Sequence, residues 1–176
     1  MKIAILHYTA PPIVGGVENT IYHQARLLAQ AGNQVRVIAG RGKEFHPQVA
    51  LRLVPEMDSL HPKVLEMNRV LASGQVPCLF AEMCDALREK LRPLLADVDV
   101  SILHNAVTLH KNLALTATLR ALTDEASTPF VAWCHDFAWQ DSLYVSELYC
   151  GYPWDLLRHA WPGLWYVTVS IPRRSQ

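Results

Sequence analysis

Lys2-Ile3-Ala4-Ile5-Leu6-His7-Tyr8, followed by Pro11-Pro12-Ile13-Val14-Gly15-Gly16-Val17-Glu18, decides the fold class. The first run reads as a buried strand, because nearly every position in it is apolar or aromatic. Two adjacent glycines then mark a turn into a helix. From Val17 to Ala31 the residues Val17, Ile21, Ala25, Leu28 and Ala29 recur on one face at helical spacing. Gly32 ends that helix, since glycine tolerates the left-handed conformation a C-cap requires. Gln34 to Ala39 supplies a second strand. A strand, a helix and a strand in quick succession open an α/β fold with a parallel sheet.

Working outward, Leu51 to Val54 reads as a third strand and Lys63 to Ala72 as a weaker helix. After Pro77 a stronger helix carries Leu79, Met83, Leu87, Leu91 and Leu94 as its apolar stripe. Its outer face spaces Asp85 with Arg88 and Glu89 with Arg92 to pair across one turn. Val98 to Leu103 is a fourth strand, and Asn112 to Leu122 a helix apolar on more than one side, which implies deep burial. Phe130 to Cys134 and Trp165 to Val169 are the fifth and sixth strands, and Pro172 to Gln176 follow them. The expected architecture is a doubly wound, mainly parallel sheet of Rossmann-like topology. In such sheets ligands sit beyond the carboxyl ends of the strands.

Composition narrows the function. The chain has 176 residues, the size of one domain, and 51% of them are hydrophobic, enough for a core. Lys plus Arg and Asp plus Glu are 16 each. That balance argues against nucleic acid as the main partner. Only Ile3 to Leu6 separate Lys2 from His7, too short for a signal peptide, and no apolar run reaches the roughly 18 residues of a spanning helix. A cytoplasmic location is the expectation. Cys78, Cys84, Cys134 and Cys150 form no CxxC pair and read as buried or free thiols.

The candidate chemistry lies where strands end. Gly15 and Gly16 let the backbone approach a ligand, and the helix they open offers unpaired N–H groups to an anion such as a diphosphate. A plain turn, with one glycine at positive φ, is the competing reading. Dinucleotide and P-loop readings fail: there is no G-x-G-x-x-G, no Gly-Lys-Ser or Gly-Lys-Thr, and no carboxylate in Ala39-Gly40-Arg41-Gly42 for a ribose. Trp133-Cys134-His135-Asp136 places His135 at a strand tip, where it either meets a ligand or braces a loop. Cys134 and His135 point opposite ways, which speaks against a nucleophile–base pair. His104-Asn105 and His110-Lys111 crowd the same edge. The spacing of His104, His110 and His135 does not suggest a metal site, and none is expected. Aromatic residues concentrate between Phe137 and Trp161, including Trp139, Tyr144, Tyr149, Tyr152 and Trp154. They suit either an acceptor pocket or a packed lid.

Gly15-Gly16-Val17-Glu18, the helix to Ala31, and then Gly32-Asn33-Gln34-Val35 resemble the start of retaining GT-B glycosyltransferases of family 4. His135-Asp136 and Val167-Thr168-Val169-Ser170 match that group as well. The resemblance runs along nearly the whole chain, with nothing diagnostic between residues 41 and 97. It implies the N-terminal, acceptor-side domain of a two-domain enzyme. Gly15 and Gly16 would approach the diphosphate of a UDP- or GDP-sugar. His135 would hold the donor sugar as the catalytic-site residue. From their places at the crevice edge and in the aromatic run, His104, Asn105, Asp136 and Trp139 are the candidate substrate contacts. The implied mechanism is front-face transfer assisted by the leaving phosphate, with no metal or other cofactor. The acceptor would be a sugar, a lipid (with peripheral membrane contact) or another hydroxyl compound. A C-terminal domain of the same enzyme would supply the remaining donor contacts, so residues 1–176 alone are expected to be catalytically incomplete. Two other classes stay open: a non-catalytic sugar-, lipid- or protein-binding module, and an unrelated α/β enzyme acting on another phosphate ester.

Overall fold

The computed structural model describes residues 1–170; the Pro172–Gln176 tail lies outside the described residues. Six strands, β1 (Lys2–Thr9), β2 (Gln34–Arg41), β3 (Val49–Leu53), β4 (Val100–His104), β5 (Phe130–Cys134) and β6 (Leu164–Thr168), form one sheet. The order is β3-β2-β1-β4-β5-β6, and every neighbouring pair is parallel. This is the Rossmann order, and its direction reverses between β1 and β4. The expected α/β, Rossmann-like class is thus observed.

Alternation along β1 splits the core between the two faces. Ile3 and Ile5 pack with Ile21, Ala25 and Ala29 of α1 (Gly16–Gln30), while Ala4, Leu6 and Tyr8 pack on the opposite side. That second side carries α2 (Pro62–Leu71), α3 (Leu79–Leu95), α4 (Leu113–Glu125) and the short α5 (Asp155–Arg158). Helix α1 ends as expected. Gly32 takes φ +84°, its N–H donates to Ala29 at 2.9 Å, and Asn33 N–H donates to Leu28 at 3.2 Å. These two bonds satisfy the last carbonyls of the helix.

Helix α4 is buried on several sides, as its composition implies. Its threonines fit there because Thr116, Thr118 and Thr123 each donate to the carbonyl four residues back. Two expectations for α3 are corrected. Its buried stripe is Phe80, Met83, Leu87, Leu91 and Leu95, with Leu79 and Leu94 only partly covered. Arg88 and Arg92 both reach across to Glu125 of α4 rather than pairing within their own helix. Neighbouring apolar positions left the docking face open, and the seating of α4 chose it.

Among the described residues, no helix is long and apolar enough to cross a membrane.

Candidate functional site

A crevice of about 420 Å³ opens at the carboxyl ends of β1 and β4, where the strand order reverses. One wall is the start of α1. Gly15 is its N-cap, in extended conformation at φ −170°, and Gly16 is its first residue. Neither has positive φ, so the turn reading loses its conformational reason. The Glu18 carboxylate folds back over the helix N-terminus, where the helix dipole favours negative charge. It accepts a hydrogen bond from Thr9 Oγ1 and lies 3.8 Å from Nε2 of His7. His7 sets its Nδ1 2.8 Å from the carbonyl oxygen of His104, so Nδ1–H donates there. Burial pushes the His7 pKa down to about 4, against the pull of that carbonyl and of Glu18, and the ring is neutral at pH 7.

The glycine pair yields a prediction. A Cβ on Gly16 meets nothing within 4 Å, whereas one on Gly15 collides with the Glu18 carboxylate. Gly16→Ala is expected to melt at or above the parent temperature, gaining up to about 1 kcal/mol from a restrained unfolded chain. Gly15→Ala is expected to melt lower, because Glu18 must leave Thr9. Calorimetric melts of both variants check this. A fall of several degrees for Gly16→Ala contradicts the open space seen around it.

The opposite wall comes from the tips of β4 and β5. Asn105 sits in the left-handed region at φ 53°, a conformation asparagine tolerates better than most residues. Its Oδ1 accepts from the backbone N–H of His135 at 2.8 Å and of Asp136 at 3.2 Å, and its Nδ2 donates to Asp136 Oδ2 at 3.1 Å. One side chain thus ties two strand ends together. The floor holds Arg41, whose Nε donates to Asp58 Oδ2 at 2.7 Å, and Asp58 in turn accepts from the Leu60 N–H at 3.0 Å.

The structure brings Gly16, Asn105 and Asp136 onto one crevice wall or the other, with Gly15 and His135 beside them. His104 has no exposed surface and meets His135 instead, ring to ring. Burial holds its pKa far below the usual histidine range, with the charges of His7 and His135 acting the same way. Trp139 lies away from the crevice and packs against the core, tilted on Phe137 at 5.0 Å. Most of the aromatic run is packing: Phe137, Trp154 and Trp161 are buried, and Tyr149 donates to the Ala72 carbonyl at 2.6 Å. Tyr144 alone of them lines the crevice. His110 bonds Glu147 at 2.8 Å and stacks at a tilt on Tyr144. Burial raises the Cys134 thiol to about 12, so it offers no thiolate at neutral pH. Among the described residues, no group of three or more His, Cys, Asp or Glu is placed to hold a metal ion.

Glu18, Asp58 and Arg41 were not anticipated as crevice residues. Glu18 belongs to the glycine motif, and that proximity was its available signal. Asp58 lies in a loop without periodicity, and only the close pass of that loop over Gly40 brings it to the site.

A Rossmann-type sheet with a glycine-capped helix and a polar crevice at its switch point defines the class. The family model for Glycosyltransferase Family 4 matches residues 14–170, and the chain belongs to that family. Among solved structures it is similar to apo UGT2 of Phytolacca americana, at 13% identity and a TM-score of 0.43. The alignment covers 78% of this chain and 30% of that one, so the chain spans less than a third of that protein's length. No curated protein matches it.

Proposed function

We propose that this chain is the N-terminal, acceptor-side domain of a retaining GT-B glycosyltransferase that moves a sugar from a nucleotide-sugar donor to an acceptor. The observation that carries the reading is the crevice itself. A glycine-capped helix start faces Asn105 and Asp136 across a polar cleft at the switch point of the sheet. On this reading Gly15 and Gly16 lie against the donor diphosphate, and His135 hydrogen-bonds the donor sugar. Asn105 holds His135 and Asp136 in place for that contact.

Charge in the crevice supports a reading in which a second domain takes part. Among the described residues, the crevice presents Glu18, Asp58, Asp136 and Asp141 against Arg41 and Lys111, and Arg41 is already engaged by Asp58. The described residues of this wall do not neutralise a diphosphate. A C-terminal domain that adds cations across the cleft completes the site and stabilises the leaving group. Isothermal titration calorimetry with UDP- and GDP-sugars tests this. Residues 1–176 alone are expected to bind weakly or not at all, and binding is expected to appear when the second domain is present. Tight binding to residues 1–176, with a stoichiometry near one, would falsify the two-domain account.

A further inference from the structure

Three histidines stand at neighbouring strand ends on the α1 side of the sheet: His7, His104 and His135. The middle one is the most informative. His104 is fully buried, with its Nε2 2.9 Å from Oε1 of Gln24 and its Nδ1 3.0 Å from Nε2 of His135. The two imidazoles are stacked, with centroids 5.3 Å apart and planes 28° apart, and Trp133 stacks on His104 as well. Gln24 comes from α1, one residue before the buried Ala25, so it is a polar residue at the edge of an apolar stripe.

The proton positions follow from chemistry. A neutral imidazole carries one N–H and one lone pair, and an amide oxygen only accepts. Nε2 of His104 therefore carries the hydrogen and gives it to Gln24. Nδ1 of His104 is left as the lone pair, and the atom 3.0 Å away that must donate to it is Nε2 of His135. The reverse arrangement sets a bare Nε2 against the Gln24 oxygen, two acceptors facing each other beside a buried ring. Burial disfavours a charged His104, which would otherwise satisfy both contacts.

We propose that Gln24 is a positioning residue which, acting through His104, fixes His135 in the Nε2–H tautomer. The lone pair of His135 is then on Nδ1, which makes that nitrogen an acceptor. A sugar contact at His135 rests on the glycosyltransferase reading; the tautomer chain does not.

The test needs no substrate, so the outcomes of the two ideas separate. Long-range ¹H–¹⁵N spectra of residues 1–176 near neutral pH distinguish protonated from bare ring nitrogens. The parent protein is expected to show His104 and His135 each protonated at Nε2. Gln24→Leu removes the acceptor at similar volume and is expected to lose the single tautomer of His104, with Nδ1–H appearing. The His135 signals should become mixed at the same time. Gln24→Glu keeps an acceptor oxygen and is expected to restore Nε2–H at His104. Finding His104 protonated at Nδ1 in the parent protein overturns the proposal, even if no variant folds. So does a Gln24→Leu variant whose imidazole spectrum equals the parent's.

Discussion

Asn105→Ala is expected to lower unfolding free energy by about 3 kcal/mol, the sum of two losses. The first is the pair of hydrogen bonds to the His135 and Asp136 amides, at 2.8 and 3.2 Å, worth about 1 kcal/mol each. The second is backbone strain, since alanine at φ 53° costs about 1 kcal/mol more than a residue suited to that region. For a domain of this size the fall in Tm is roughly 6–12 °C. Asn105→Gly separates the two losses, because glycine accepts the backbone conformation and makes no side-chain bonds. It is expected to recover about a third of the loss. Thermal melts of both variants decide the matter. If Asn105→Ala melts within a degree or two of the parent, the side chain does not hold the tips of β4 and β5 together.

Gly40→Ala is expected to be at least as damaging, at about 3 kcal/mol or more. Gly40 is buried in β2, and a Cβ there runs into the backbone nitrogen of Asp58. The obstacle is main chain, so a side-chain rotation gives no relief. To make room, the Pro55–Met57 turn and Asp58 must move away from the sheet, which breaks the bond between Asp58 and Arg41. Gly16→Ala, with open space around its added methyl, serves as the control. Denaturant unfolding of the two variants provides the comparison. Equal midpoints would mean that the loop over Gly40 yields easily.

Much of the fold was legible because its signals are local. β1 and β5 announce themselves by largely apolar character, and Gly32 stands where a helix must stop. The buried face of α3 was legible only in part. Phe80 and Leu79 are both apolar, as are Leu95 and Leu94, and spacing alone does not choose between adjacent stripes. The same limit misassigned Arg88 and Arg92, whose partner Glu125 sits on another helix. At the crevice, the positions of Gly15, Gly16, Asn105, His135 and Asp136 were readable because strand tips and helix starts locate them. Gln24 and Asp58 were not. Each reaches the site from a helix flank or a loop whose position exists only once the sheet has formed.

The crossing from β3 to β4 has a kinetic consequence. His7 and the His104 carbonyl are 97 residues apart along the chain, and the Tyr8 hydroxyl bonds a carbonyl 101 residues away. Long loops close slowly, and parallel pairing across such a loop is among the slower events in folding. The first βαβ unit, β1-α1-β2, can assemble early from nearby residues. It carries Gly15, Gly16 and Glu18 but lacks the opposite wall. A chain that has formed every local element therefore still has no crevice. Ligand binding at this crevice would report on the β1–β4 pairing, and a refolding experiment followed by binding would lag one followed by helical signal.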